Sequence, residues 1–271
     1  MSNRIAVIIP AAGASERYQQ AGGVRSKLDE DLGGKTVLHR SVELFSKVES
    51  TDWTVGTVVV AGPHDPAAFE EFRTRHGDRL GFLGVTLCRG GKTYRHETVA
   101  AALAMIGDDH THVAVHDAAR PCAPFDMIER LFDAADRFPA LVPGLPVGDT
   151  LKQVEETEDA GHHDPLAAIL GTDADAAPRK KRVVARTLDR SGLYVIQTPQ
   201  VFQLALLKAA YAQADLTSTD DASLVERLGK EVVVLDGDVR NIKITRPADL
   251  HMARSILNVR GPEERPAHKR F

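Results

Sequence analysis

The side chains best suited to chemistry in this 271-residue chain are cations and one acid placed beside short turns. An apolar run, Ile5–Ile9, leads into Pro10-Ala11-Ala12-Gly13-Ala14-Ser15-Glu16-Arg17, and Lys27 follows shortly after. Residues this small let backbone N–H groups approach a polyphosphate, and a helix starting there adds its positive end. Arg17 and Lys27 add full charges against phosphate oxygens. Small residues also make ordinary tight turns, so the loop alone leaves both readings open. Two better-known phosphate signatures are absent. A dinucleotide fingerprint needs three glycines where Gly13 stands alone, and a P-loop needs a glycine where Asp29 and Thr86 precede the two Gly-Lys-Thr triplets.

The elements that must position these residues alternate. Val55–Ala61, Val85–Leu87, His112–His116, Ala140–Val147 and Glu231–Leu235 read, with Ile5–Ile9, as strands. Val37–Val48, Pro66–His76, Glu97–Ile106, Pro124–Phe138, Gln203–Ala214, Asp220–Leu228 and Pro247–Asn258 read as helices between them. That alternation predicts an α/β fold, a Rossmann-like and mainly parallel sheet with helices on both faces. Ligands in such sheets bind beyond the carboxyl ends of the strands, where the motifs fall. The polar stretch Lys152–Thr187 breaks the rhythm, with Glu155-Glu156 early and Arg179-Lys180-Lys181-Arg182 late. It predicts an inserted arm with a mobile loop near Asp159–Lys180. The expected division is a main domain of 1–149 and 196–259, an arm of 150–195 and a flexible tail of 260–271.

Composition limits the function classes. A net charge of −4 gives no overall field for nucleic acid or membrane lipid, so phosphate-binding charge must be local. No apolar stretch is long enough to span a membrane, and no signal peptide is read at the N-terminus. Cys88 and Cys122 show no metal-ligand spacing, which fits a reducing, cytoplasmic setting. His116 invites a metal reading with His112 and Asp117, but strand alternation turns it away from Asp117, and it is expected to be packed or hydrogen-bonded. The His162-His163 pair reads as surface loop.

Further motifs follow in order: His116-Asp117-Ala118-Ala119-Arg120-Pro121 at a strand end, Thr198-Pro199-Gln200, Thr219-Asp220-Asp221-Ala222-Ser223, and Asn241-Ile242-Lys243-Ile244-Thr245-Arg246-Pro247 before the last helix. With Pro10–Arg17 they closely resemble the 2-C-methyl-D-erythritol 4-phosphate cytidylyltransferase family, from about residue 5 to 258 apart from the arm. The resemblance implies a Rossmann-like domain with a β-arm that makes a homodimer. It also implies transfer of CMP from CTP to methylerythritol phosphate with Mg2+. Arg17, Lys27 and Lys243 would surround the α-phosphate, where catalysis is mostly positioning and charge neutralisation. Asp117 would bind the metal. Pro10, Ala11, Ala12, Gly13, Gly90, Gly91, Arg95 and Thr98 would hold the nucleotide. Arg120, Thr150, Arg190, Thr198 and Thr219 would serve the acceptor substrate.

The chain also departs from the family pattern. Ser15 stands where a second glycine is common, and the path from Arg17 to Lys27 is longer. Ser26-Lys27-Leu28 replaces proline-lysine-glutamine, Gly91 and Arg95 are a residue further apart, Thr98 replaces a serine, and the arm is longer. Two rival functions remain at this stage: a cytidylyltransferase for another polyol phosphate such as ribitol 5-phosphate, and a non-catalytic nucleotide-binding relative. Arg17, Lys27, Asp117 and Lys243 are all retained, which speaks against the latter.

Overall fold

A computed structural model describes residues 3–46, 50–159 and 179–261. The strands are β1 (Asn3–Pro10), β2 (Trp53–Gly62), β3 (Val85–Arg89), β4 (His112–Val115), β5 (Ala140–Pro146), β6 (Leu151–Asp159), β7 (Arg179–Leu188), β8 (Tyr194–Ile196), β9 (Gln200–Gln203) and β10 (Val233–Asp236). The helices are α1 (Glu16–Gln20), α2 (Val37–Ser46), α3 (Pro66–Gly81), α4 (Arg95–Leu103), α5 (Phe125–Ala134), α6 (Leu204–Tyr211), α7 (Ala222–Arg227) and α8 (Pro247–Ile256). Contacts divide the chain into two compact units, Met1–Leu145 with Ile196–Phe271, and Pro146–Val195.

The first unit carries the sheet, in the order β10-β5-β9-β4-β1-β2-β3. β1 runs parallel to β2 and β4, β2 to β3, and β10 to β5. The sheet is mixed rather than wholly parallel, because β9 runs antiparallel to both β4 and β5. This strand is short and polar at its ends, Gln200 to Gln203, and has no period for sequence reading to detect.

Burial on both faces follows from strand alternation. Ile5, Val7 and Ile9 of β1 join one apolar cluster with Leu38 of α2, Phe72 of α3, Ile128 of α5 and Leu250 of α8. Ala6 and Ile8 join another with Val99 of α4, Leu207 of α6 and Leu224 of α7. Helix α3 runs on past the expected His76 to Gly81, since His76 and Leu80 are both buried on one face. It starts with Pro66, and the Asp65 side chain accepts from Ala68 N–H at 2.9 Å, a favourable start.

The second unit is an antiparallel β6–β7 ladder running from Leu151 opposite Leu188 to Asp159 opposite Arg179. The loop expected within 159–180 and the tail expected from 260 lie, apart from their end residues, outside the described residues. Among the described residues no helix is long and apolar enough to cross a membrane, and Cys88 and Cys122 are both free thiols.

Candidate active site

A cavity of about 510 Å³ opens at the carboxyl end of β1, as expected for a ligand site in an open α/β sheet. Pro10 to Gly13 form one wall, Gly91 to Arg95 and Thr98 a second, and Asp117 with Lys243 and Lys27 a third. The turn out of β1 is tight. Ser15 takes φ +60°, a left-handed conformation that glycine adopts freely and other residues adopt at some cost. Its hydroxyl lies 3.3 Å from that of Ser26, next to Lys27. Helix α1 after this turn is only five residues long and begins with Glu16. Positive charge in the cavity therefore comes from side chains more than from a helix end.

Lys27 opens a short 3-10 turn, Lys27–Asp29. The turn is pinned at its far end, where Asp29 receives Arg75 at 2.5 Å and His76 Nε2 at 2.8 Å, both from α3. Burial opposes ionisation of Asp29, but the His76 and Arg75 contacts outweigh it and hold the carboxyl below its ordinary range. The Lys27 ammonium is pushed down from its usual value, first by burial and next by the Lys243 charge. A lysine kept near other cations in a partly dry place is poised to receive an anion.

Asp117 follows the end of β4, and its backbone N–H donates to Thr198 Oγ at 3.0 Å. Its carboxylate gathers three cations: Lys243 Nζ at 2.8 Å, Arg120 Nε at 3.2 Å and, more loosely, Arg95 Nε at 4.0 Å. Burial pushes the acid up, but Lys243, Arg95 and Arg120 outweigh it and hold it far below the carboxylate range. Lys243 is set opposite because Ile244 N–H donates to Ala119 O at 2.8 Å, while buried Asn241 donates to Thr198 O at 2.9 Å. The first bond ties the 241–245 loop to the turn after β4 and the second ties it to the turn before β9.

The glycine pair is a close approach. A Cβ on Gly90 would sit 2.7 Å from Gly62 O and 3.0 Å from the Ala12 Cβ, and one on Gly91 would collide with Glu97. The Thr98 hydroxyl accepts from Gly91 N–H at 3.1 Å. The Glu97 carboxylate accepts from the N–H groups of Thr93 at 2.7 Å and Tyr94 at 3.1 Å, which closes the start of α4.

The sequence-derived residues thus separate by position. Pro10 to Gly13, Lys27, Gly91, Arg95, Thr98, Asp117 and Lys243 line the cavity, and Gly90 packs behind Gly91. Arg17 faces an adjoining cavity of about 280 Å³, which it shares with Lys27 and Thr245. Arg120 and Thr198 are buried behind the wall, Arg120 also donating to Asn241 O at 2.7 Å. Thr219 is exposed and outside the lining. Thr150 and Arg190 belong to the second unit, both exposed, where Arg190 donates to Gly148 O. His116 is fully buried, its ring bonded to Arg120 O and Thr198 Oγ. Lys92 and Tyr94 line the cavity without having been assigned a role, though Lys92 directly follows the glycine pair. Among the described residues no group of three or more His, Cys, Asp or Glu could hold a metal by itself.

The chain is similar over most of its length to proteins of one family. The profile of the 2-C-methyl-D-erythritol 4-phosphate cytidylyltransferase family matches residues 5–164 and 156–259. Similar proteins of that name include one from Frankia casuarinae, 37% identical over 94% of this chain and 82% of the relative. Another, from Rhodococcus jostii, is 37% identical over 93% of this chain and 95% of the relative. A crystal structure of a 4-diphosphocytidyl-2C-methyl-D-erythritol synthase superposes with TM-score 0.69 at 30% identity, covering 95% of this chain and 99% of that one. The Thermus thermophilus 2-C-methyl-D-erythritol 4-phosphate cytidylyltransferase superposes with TM-score 0.66 at 29% identity, over 96% and 100%.

Proposed function

The chain belongs to the 2-C-methyl-D-erythritol 4-phosphate cytidylyltransferase family, and from that premise we propose that it transfers CMP from CTP to 2-C-methyl-D-erythritol 4-phosphate. The observation that carries this reading is the meeting of Lys27, Lys243, Arg95 and Asp117 around a cavity walled by Pro10 to Gly13.

In this reaction an oxygen of the acceptor phosphate attacks the α-phosphorus of CTP. A new P–O bond forms as the bond to the bridging oxygen breaks, and the electron pair leaves with pyrophosphate. Negative charge crowds the α-phosphoryl group, so fixed cations are the main source of acceleration. Lys27 and Lys243 face that charge across the cavity, and Arg17 reaches it from the adjoining cavity. Bound phosphate would also offset the burial and the Lys243 repulsion that depress Lys27. Gly90, Gly91, Arg95 and Thr98 hold the cytosine and ribose, with Ala12 and Gly13 offering backbone N–H groups to the phosphates, since Pro10 has none and Ala11 N–H donates to Ala61 O. Arg120 and Thr198 contribute by fixing Asp117 rather than by lining the cavity.

Asp117 suits Mg2+, since Lys243 and Arg120 engage Oδ2 and leave Oδ1 with only a distant Arg95. Mg2+ commonly takes one or two carboxylates and completes its shell with substrate phosphates and water. When bound it would supply charge neutralisation to the phosphates. The family pattern further assigns Thr150, Arg190 and Thr219 to the acceptor, the arm to a homodimer, and the enzyme to the cytoplasm.

The test is pyrophosphate release from CTP and Mg2+ with methylerythritol phosphate, with ribitol 5-phosphate, or with no acceptor. Release is expected with the first alone. Silence with every acceptor overturns the enzymatic reading, and release with ribitol phosphate only replaces the acceptor.

A further inference from the structure

The pair Asp220-Asp221 stands in a motif of which the reaction described above uses only Thr219. Asp221 has no exposed surface, yet carries a carboxylate. Arg95 Nη2 lies 2.8 Å from its Oδ2, and the Tyr211 hydroxyl donates to its Oδ1 at 2.5 Å. At this distance the guanidinium and the Asp221 carboxylate form an ion pair. Arg95 has a third of its side chain exposed and lines the nucleotide cavity.

We propose that Asp221 and Tyr211 are positioning residues that set the Arg95 guanidinium in the cavity wall and draw it away from Asp117. The proposal rests on the reading that this cavity takes CTP. Arg95 stands between two carboxylates, and distance decides which holds it: 2.8 Å to Asp221 against 4.0 Å to Asp117. Without Asp221, Arg95 would settle on Asp117 Oδ1, the oxygen that Lys243 and Arg120 leave open.

The sheet fixes the placement of both acids. Gln200 of β9 sits opposite Val115 of β4, two residues before Asp117. The same Gln200 side chain accepts from Ala222 N–H at 3.1 Å and donates to Asp220 Oδ2 at 2.8 Å. One strand pairing thus sets Asp117 on one side of Arg95 and Asp221 on the other. An ion pair that buries its acid completely is a poor stabilising device, since apolar side chains of similar volume often do as well or better. Its use here fits a need for a cation of fixed orientation.

The experiment is a double-mutant cycle on CTP binding, measured by calorimetry with CTP and Mg2+ and no acceptor. Arg95→Gln is expected to weaken binding by about tenfold or more, and Asp221→Asn by about five- to twentyfold. In the Arg95→Gln background the same Asp221→Asn change should cost less than about twofold, because its effect runs through Arg95. Tyr211→Phe should follow the same pattern at about two- to fivefold. Equal losses in both backgrounds, or wild-type affinity in Asp221→Asn, overturn the proposal, since a merely structural acid would act independently of Arg95. Should Asp221→Asn fail to fold, the Tyr211→Phe cycle decides alone. Unchanged affinity in Arg95→Gln removes Arg95 from the nucleotide site and the proposal with it. Loss in Arg95→Gln without loss in Asp221→Asn spares the site and sinks only the positioning role.

Discussion

Asp117 and Glu156 each meet more than one cation, in very different surroundings. Asp117 has 12% of its side chain exposed and holds Lys243 at 2.8 Å and Arg120 at 3.2 Å. Glu156, on the arm ladder, is 51% exposed and meets Arg182 at 3.4 Å and Lys180 at 3.6 Å. Around Asp117 each partner is held by further bonds: Arg120 to Asn241 O, Asp117 N–H to Thr198, and Ile244 N–H, next to Lys243, to Ala119 O. On the arm the partners are aligned by strand register, Glu156 opposite Arg182, and otherwise face water. Charges that water screens are worth little, whereas a buried charge that loses its partner is costly. Burial therefore makes the Asp117 cluster worth far more than the Glu156 cluster.

The largest effect is expected for Asp117→Asn. This change leaves Lys243, Arg120 and Arg95 around a neutral amide, and should cost about 3 kcal/mol or more in stability. Turnover should fall by about a thousandfold, as the cation array loses its anion. Urea denaturation and pyrophosphate release measure the two effects. A variant with near-wild-type stability would mean that the buried cluster behaves like the arm's exposed one.

Lys27→Met tests the site from the opposite sign. Lys27 is held down by burial and by Lys243, so its charge is a strain on the fold rather than a support. The variant should lose turnover by about a hundredfold or more while its stability stays level or rises slightly. A clear drop in melting temperature would show that Lys27 is structural and that the cavity has been misread.

The contrast also explains which parts were legible in the sequence. Pro10 to Gly13, Asp117 and Lys243 announce themselves because small residues and charges stand directly after strand-like runs or before a helix. The alternating strands and helices were readable through their apolar periods. Pairings between distant segments were not. Nothing local links Asp221 to Arg95 or His76 to Asp29, and β9 is too short and polar to show a period. Arg120 and Thr198 show the converse limit: their types suit a substrate, yet the fold uses them to hold Asp117. Ser15 at φ +60° gives a physical reason for a glycine to be common there, and its link to Ser26 is a local compensation.

Acid should separate the two regions by a smaller margin. The His116 ring is fully buried, and burial lowers its pKa from 6.5 to about 4. A neutral ring with hydrogen on Nε2 satisfies both neighbours, donating to Arg120 O at 3.0 Å and accepting from Thr198 Oγ at 3.3 Å. The unfolded chain takes up its proton near pH 6.5, while the folded ring resists until about pH 4. Stability is therefore complete above pH 6.5 and declines as pH falls towards 4, by up to about 3 kcal/mol. Urea midpoints at pH 7, 5.5 and 4.5 should fall in that order, and His116→Asn should flatten the slope. An unchanged slope in that variant would assign the acid sensitivity elsewhere.

The smallest effect is expected on the arm. Arg182→Gln removes a contact in which both side chains are more than half exposed, 74% for Arg182 and 51% for Glu156. Lys180 remains within 3.6 Å of the same acid, so Glu156 keeps a partner. The change should shift unfolding by less than about 0.5 kcal/mol, and the shift should vanish when ionic strength rises towards 1 M. Lys243→Gln offers the matched measurement at the site, where Lys243 is 37% exposed but its acid only 12%. Its cost should exceed that of Arg182→Gln severalfold and respond less to salt, because the acid it leaves behind is shielded from the ions that screen Glu156. Equal costs and equal salt responses for the two variants would show that partner number, not burial, governs both clusters.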